Sequence, residues 1–114
     1  GRPVVVLIDR TSASSAEVFS GALKDNGVAT LVGRPSFGKG IGQSTFRIND
    51  QHSLKLTTFR FTTPSGVWPG NAGNKRYGIK PDVDIYQGTW IKAGSDRDKQ
   101  LQEAVSILNQ KLQP

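Results

Sequence analysis

The chain of 114 residues has no cysteine and no methionine, and it contains a single histidine, His52. The absence of cysteine excludes disulfide bonds, zinc sites built on thiolates and a thiol nucleophile. One histidine excludes a histidine-rich metal site, and any catalysis by an imidazole would depend on His52 alone. That residue lies in a polar stretch between two alternating runs, so we interpret it as an exposed turn residue.

Long apolar runs are also absent, because none approaches the roughly 18 residues that a membrane span needs. The run 4–8 is too short for the apolar part of a secretory signal. The length allows one domain at most. The hydrophobic fraction with glycine included is about 46%, which is ordinary for a globular domain. Since the first residues already have the pattern of a buried strand, we expect a piece of a larger protein.

The net charge is +6, from 15 basic and 9 acidic residues. The basic residues are spread from Arg2 to Lys111, and they form no stripe interleaved with aromatic side chains. No helix-turn-helix or similar nucleic-acid-binding pattern is visible. We therefore interpret the charge as a solvated surface and expect no nucleic-acid partner, although a basic surface that binds some other anionic partner stays open as an alternative.

Two short aliphatic runs flank a helical pattern in the first third of the chain. Residues 4–8 are typical of a strand buried on both faces of a parallel sheet, and residues 28–32 form a second such run. Between them, the spacing predicts a helix from about Ser12 to Asp25, capped by Ser12 or Thr11. Together they predict a βαβ unit. The helix positions expected to face the core are Ala16, Val18, Phe19, Ala22 and Leu23.

The pattern of the residues after 33 predicts four loop and strand segments. They are a glycine-rich loop (34–42), a β-hairpin (43–61), an irregular surface loop anchored by Trp68 (67–78) and a short extended segment (79–85). A terminal helix follows, capped by Asp96 or Asp98. The apolar face of the terminal helix consists of Leu101, Ala104, Val105, Leu108 and Leu112.

Serine and threonine cluster where the first strand meets the first helix, in residues 11–17. A serine there lies at a helix N-terminus, where free backbone N–H groups favour negative charge. Such a serine can act as a nucleophile whose developing oxyanion meets main-chain donors. The competing interpretation is that these residues are simply helix caps.

The loop 33–40 comes close to the phosphate-binding pattern G-x-x-x-x-G-K-[ST]. Gly40 stands where that pattern needs a serine or threonine, and the following residues alternate like a strand instead of opening a helix. We therefore reject nucleotide binding, and the sequence indicates no cofactor and no metal.

Lys39 lies between two glycines and beside Phe37, and we expect this apolar loop to shield its amine from water. Apolar surroundings without a paired carboxylate favour an uncharged lysine, which can act as a general base. A serine nucleophile with a lysine base is a known variant of the catalytic triad. It also suits a chain whose only histidine lies in a turn.

Several segments resemble the carboxyl-terminal processing (tail-specific) serine proteases. They are SASSAEVFSGALKDNGVATLVG, FGKGIGQS, LKLTTFRFTTPSG and GIKPDV, and the final DKQLQEAVSILNQ is similar to the terminal helix of that family. In that family the serine nucleophile precedes the lysine by twenty-five positions, as Ser14 precedes Lys39, and a glutamine follows the lysine by four, as Gln43 does here. The usual S-A-S-A-S-E reads S-A-S-S-A-E in this chain.

The resemblance assigns roles to individual residues. Ser14 matches the nucleophile, Lys39 the general base, and Gln43 the amide that orients the lysine amine. Asp25 matches an acidic position that some members need for activity, and the backbone N–H of Ser15 matches an oxyanion donor.

The resemblance also implies a fold and a function: a partial crotonase/ClpP-like α/β core, with a βαβ unit followed by a β-hairpin and a C-terminal helix. The implied activity is that of a serine endopeptidase that cleaves polypeptides with apolar C-termini through an acyl-enzyme. Members are exported to the periplasm, cell surface or thylakoid lumen.

Residues 1–114 match the C-terminal portion of that catalytic core. We expect the PDZ module and the upstream core segment to be absent, membrane association to arise only through missing regions, and the piece alone to be inactive. A non-catalytic interaction domain of the same fold remains an alternative.

Overall fold

The computed structural model describes residues 1–72 and 75–113, which contain two helices and seven strands. The helices are α1 (Ser15–Asp25) and α2 (Lys99–Leu112). The strands are β1 (Val4–Ile8), β2 (Ala29–Gly33), β3 (Ile41–Arg47), β4 (Ser53–Arg60), β5 (Asn71–Ala72), β6 (Lys75–Arg76) and β7 (Val83–Asp84).

A parallel sheet with the strand order β1-β2-β7 organises the chain. Val4 lies opposite Ala29, and the register continues to Ile8 opposite Gly33. The helix α1 connects β1 with β2 and packs against β2, while α2 packs against β1 and β2. The predicted βαβ unit, the hairpin after it and the terminal helix are therefore confirmed.

The prediction that β1 is buried on both faces is wrong. Leu7 is 44% exposed, Val4 is also exposed, and of the five residues only Ile8 is buried. The reason is that α2 packs against β1 whereas α1 packs against β2, so this edge strand is covered less completely than β2. The aliphatic run predicted the strand itself correctly, but it carried no information about what covers it.

The buried face of α1 also differs from the prediction. The helix begins at Ser15 rather than Ser12, Phe19 is 60% exposed, and Val18 is exposed as well. The buried residues are instead Glu17, Ser20 and Gly21. A Cβ atom on Gly21 would lie 2.7 Å from the side chain of Thr63, so the helix is packed closely there. This helix therefore turns a small and polar face inward.

The hydrophobic core is small and centres on β2. Its buried cluster contains Ile8, Ala29, Leu31 and Ile79, with Val6 and Leu23 packed against it. Polar contacts must therefore hold much of the remaining structure in place.

The hairpin formed by β3 and β4 projects from the rest of the molecule. All eight residues of β4 are exposed. The molecule measures 60 × 33 × 30 Å, and its radius of gyration is 17.2 Å, against about 13 Å for a compact domain of this size. The hairpin prediction is confirmed, and His52 is exposed at its turn. The loop 67–78, predicted as irregular, contains the short pair β5 and β6.

The terminal helix begins where the sequence predicted, with Asp98 as its N-cap. The Asp98 carboxylate accepts hydrogen bonds from the backbone N–H of Leu101 at 3.0 Å, from that of Gly94 at 2.9 Å and from the Gln87 amide at 3.1 Å. Of the predicted apolar face only Ala104 is fully buried. Neither helix in the described part of the chain is long and apolar enough to cross a bilayer.

The Asp98 cap predicts a specific pH dependence of stability. Hydrogen bonds from the Gly94 and Leu101 backbones hold the pKa of Asp98 below its usual value. The stabilisation is therefore present above the unfolded pKa of about 3.9, and it is lost as the pH falls through the lower folded pKa. Asp98→Asn keeps an acceptor but removes the charge. We therefore expect the variant to have a lower free energy of unfolding than the wild type at pH 7, and the difference between them to be smaller at pH 3. Urea unfolding at both pH values measures this difference.

The matched control is Asp96→Asn, which removes a neighbouring charge that is exposed. It is expected to change the stability little at either pH. If Asp98→Asn lowered the free energy of unfolding equally at pH 7 and pH 3, the role assigned to the charge would be contradicted.

Candidate active site

Ser14 occupies the junction between β1 and α1 in an unusual backbone conformation. Its φ is 55° and its ψ is −117°, and it is the N-cap of α1. Among the described residues it is the only non-glycine residue with a positive φ. Such a conformation costs about 1–3 kcal/mol and persists only where the surroundings hold it in place.

The turn before Ser14 is held by Asp9. One oxygen of the Asp9 carboxylate accepts from the Thr11 hydroxyl at 2.6 Å, from the Thr11 backbone N–H at 2.8 Å and from the Ser12 N–H at 3.2 Å. These bonds, with the Thr11 hydroxyl foremost, hold the pKa of Asp9 below its usual value. Thr11 and Ser12, predicted as helix caps, therefore shape the approach to Ser14 instead.

The centre of the site is Glu17, whose side chain is completely buried. Its Oε1 accepts from the Ser36 hydroxyl at 2.5 Å and from the Gly38 N–H at 2.6 Å. Its Oε2 accepts from the Ser14 N–H at 2.9 Å and from the Lys39 N–H at 2.8 Å. All four donors converge on one carboxylate, which is how a buried charge is stabilised.

Glu17 brings together the two residues that the sequence singled out. Ser14 and Lys39 are twenty-five positions apart in the chain, yet both backbone N–H groups donate to the same oxygen. Their nitrogen atoms therefore lie within about 6 Å of each other. A further bond, from the Phe37 N–H to the Ser12 carbonyl at 2.8 Å, joins the same two segments.

This role of Glu17 was not predicted from the sequence. Its position three residues after Ser14 was the available signal, because serine and glutamate at that spacing form a capping box. The Ser14 N–H bond to Glu17 is the glutamate half of that motif. The bonds to residues 36–39 could not be read from local sequence, since these residues come from another segment.

The expectation that the loop shields Lys39 from water is wrong for the described residues. The side chain of Lys39 is exposed, whereas Gly38 and Gly40 on either side of it are buried. Because the main chain faces inward towards Glu17, the side chain is left on the outer surface. A cavity of about 130 Å³ lies beside it, lined by Phe37, Trp68 and the glycine-rich main chain.

The other predicted site residues are dispersed. Gln43 is exposed on β3, directly after a bulge in the hairpin. Asp25 lies at the opposite end of α1 from Ser14, about 16 Å along the helix axis. Its carboxylate accepts from the Ser65 N–H at 2.9 Å and from the Ser65 hydroxyl at 2.7 Å. Asp25 thus holds a distant loop and does not meet Ser14 or Lys39.

Hydrogen bonds also control the ionisation of Asp25. The Thr63 hydroxyl first, and then Ser65, hold the pKa of Asp25 below its usual value. This carboxylate is therefore a well-satisfied anion at the surface, which fits a structural contact with the loop.

The geometry around Ser14 is suited to chemistry that develops negative charge. Ser15 is the first residue of α1, so its N–H belongs to the first turn, where backbone donors have no partner within the helix. The positive end of the helix dipole lies at the same place. A serine hydroxyl, a nearby lysine segment and the main-chain donor of Ser15 together form an arrangement suited to acyl transfer. No group of residues suited to metal binding is found in residues 1–72 and 75–113.

Comparison with known proteins gives consistent matches. The family model described as peptidase family S41 matches residues 1–85. The carboxyl-terminal-processing protease of Picosynechococcus sp. is 37% identical over 110 residues, which cover 95% of this chain and 25% of that protein. The chloroplastic C-terminal processing peptidase of Tetradesmus obliquus is 37% identical over 83 residues, covering 73% of this chain and 17% of that protein.

A solved structure, the photosystem II D1 C-terminal processing protease, superimposes with a TM-score of 0.65 at 37% identity. The match covers 73% of this chain and 20% of that chain. This likeness confirms the predicted fold class. The chain therefore spans a quarter or less of the length of these relatives.

The Glu17 network predicts a large loss of stability from a small change. Glu17→Gln keeps the shape of the side chain but replaces one accepting oxygen by an NH2 group, which faces two donors. Buried donors left without partners cost about 1–3 kcal/mol each, so we expect a loss of about 2–5 kcal/mol in the free energy of unfolding. Urea denaturation followed by circular dichroism measures it.

Glu103→Gln is the matched control for this change. Glu103 is partly exposed on α2, so the substitution removes the same charge without burying unpaired donors. Its expected effect is below about 0.5 kcal/mol. Equal stability of the two variants would show that the Glu17 bonds contribute little.

Proposed function

This chain belongs to peptidase family S41, and we propose that it contains the catalytic serine and lysine of a carboxyl-terminal processing endopeptidase. Ser14 is the nucleophile and Lys39 is the general base. The observation that supports this most strongly is the shared carboxylate oxygen of Glu17, which accepts from both backbones at 2.9 and 2.8 Å. A bridge of this kind is suited to holding a nucleophile and its base in a fixed relation.

In the proposed reaction, the uncharged Lys39 amine takes the proton of the Ser14 hydroxyl as the oxygen attacks the carbonyl carbon of the scissile peptide bond. The C–N bond then breaks, and Lys39 returns that proton to the leaving amine. The product is an acyl-enzyme ester on Ser14. Water hydrolyses the ester, with Lys39 again accepting and returning one proton, so the enzyme is restored.

The negative charge that develops on the carbonyl oxygen needs donors that are already in position. The N–H of Ser15 serves as one of them, and the N-terminus of α1 adds its partial positive charge. Gln43 is proposed to orient the Lys39 amine through its side-chain oxygen, which can accept without adding charge.

The exposed side chain of Lys39 indicates that the site needs a further component before it becomes active. An amine acts as a general base when apolar surroundings cover it. The Lys39 side chain is exposed, so the substrate or further polypeptide has to supply that cover. We therefore propose that the 114 residues form a prepared but incomplete site. Asp25 supports the fold of the loop at Ser65 rather than the chemistry.

The substrates we propose are polypeptides with apolar C-termini. The proposed location is an exported one, in the periplasm, at the cell surface or in the thylakoid lumen. The chloroplastic name of one relative and the bacterial origin of another are consistent with these locations.

Neighbouring serines provide a sharp test of the nucleophile. In the full-length protein that carries this chain, Ser14→Ala is expected to lower kcat for cleavage of an unstructured substrate with an apolar C-terminus by at least about a thousandfold. Ser15→Ala retains the backbone N–H and is expected to stay within about threefold of the wild type. The reverse result would move the nucleophile to Ser15.

The base is tested in the same assay. Lys39→Ala is expected to abolish cleavage and to leave no acyl-enzyme that mass spectrometry detects. Lys55→Ala, which removes an exposed lysine from the hairpin, is the matched control and is expected to cleave normally. Full activity of Lys39→Ala would refute the dyad. An active-site serine that never becomes acylated in the wild type would instead favour an interaction domain of the same fold.

The incomplete site makes a prediction for the 114 residues alone. A fluorophosphonate, which labels activated serines, is expected to label Ser14 of this chain at a rate close to that of the Lys39→Ala variant. Intact-mass spectrometry over time measures the rate. Rapid labelling that Lys39→Ala abolishes would show that the site is complete without further polypeptide.

A further inference from the structure

We propose that Trp68 is a positioning residue for Lys39, acting through the main chain of residues 36–40, which we call the lysine loop. This inference rests on the proposed role of Lys39 as the general base. It concerns an aromatic residue that lies outside the serine–lysine pair and that contacts the residue after Lys39.

The contact is a hydrogen bond from the indole to the residue after Lys39. The Nε1–H of Trp68 donates to the carbonyl oxygen of Gly40 at 2.8 Å. The backbone N–H of Phe61 donates to the same oxygen at 3.1 Å. Two donors from the segment that follows β4 therefore hold one carbonyl of the lysine loop.

The indole also lies in close contact with the main chain. A Cβ atom on Gly40 would lie 2.4 Å from the indole nitrogen, and one on Gly70 would lie 2.1 Å from the ring. Neither glycine can carry a side chain while Trp68 occupies this place. The guanidinium of Arg60 lies over the Trp68 ring, 5.7 Å from its centroid.

These contacts hold the chain on both sides of the Lys39 Cα atom. On one side, the Lys39 N–H is bound to Glu17 at 2.8 Å. On the other side, the carbonyl of Gly40 is bound by Trp68. The Lys39 side chain is exposed, so the direction of its Cα–Cβ bond depends on this main-chain geometry. Loss of the Trp68 bond leaves this second attachment to the Phe61 N–H alone, at the longer distance of 3.1 Å.

A conservative variant separates positioning from folding. Trp68→Phe removes the indole N–H and keeps an aromatic ring, while the Phe61 N–H still occupies the Gly40 carbonyl. In the full-length protein we expect kcat to fall about ten- to a hundredfold, since small misplacements of a catalytic group have effects of this size. We expect KM to stay within about twofold, because Trp68 is assigned to the base and not to substrate binding.

Two matched variants act as controls. Trp90→Phe makes the same chemical change at a residue that is 75% exposed, and Arg60→Ala removes the group stacked on Trp68 without touching its N–H. Both are expected to keep kcat within about twofold of the wild type. Val32→Ala, which leaves a cavity in the core, shows the effect of a general loss of stability on kcat. All assays are run below the melting temperature of each variant.

The possible outcomes discriminate between the two proposals. If Ser14→Ala and Lys39→Ala are inactive while Trp68→Phe keeps its kcat, the positioning role is overturned and the dyad stands. If Val32→Ala lowers kcat as much as Trp68→Phe does, the effect is one of stability, and the positioning role is again overturned. Full activity of Lys39→Ala would overturn the dyad, and with it this inference.

Discussion

A single buried carboxylate, that of Glu17, determines how the two halves of the site meet. A charge without contact with water has to be surrounded by donors, and α1 alone supplies only the Ser14 N–H. The other three donors come from residues 36–39. The loop after β2 therefore has to lie across the start of α1, because any other placement would leave the carboxylate unsatisfied.

The constraint extends from Glu17 into the core. The Ser36 hydroxyl that donates to Glu17 also accepts from the Ile79 N–H at 2.7 Å, and Ile79 belongs to the buried cluster around β2. The polar centre of the site and the apolar centre of the fold are thus connected by one serine. In a chain with so small a core, this network contributes to holding the segments together.

The sequence predicted the elements well and their surroundings less well. The aliphatic runs and the alternating hairpin were found because strand patterns are local. The face of α1 was predicted wrongly, since apolar spacing favoured Phe19, whereas burial of Glu17 depends on donors about twenty residues away. Lys39 was expected to be shielded because its loop, with two flanking glycines and Phe37, is apolar. Those glycines instead allow the main chain to turn inward, which leaves the side chain outside.

The backbone of Ser14 has a consequence for how such sites change over time. At a φ of 55°, glycine would adopt the observed conformation with less strain than serine does. Selection for stability alone therefore favours the loss of the hydroxyl at this position, while selection for activity opposes it. Under the proposed role of Ser14, a copy of this domain that no longer needs catalysis is free to replace this serine and become more stable. If Ser14 has the proposed role, its retention is therefore a sign that hydrolysis, and not stability, is under selection at this position.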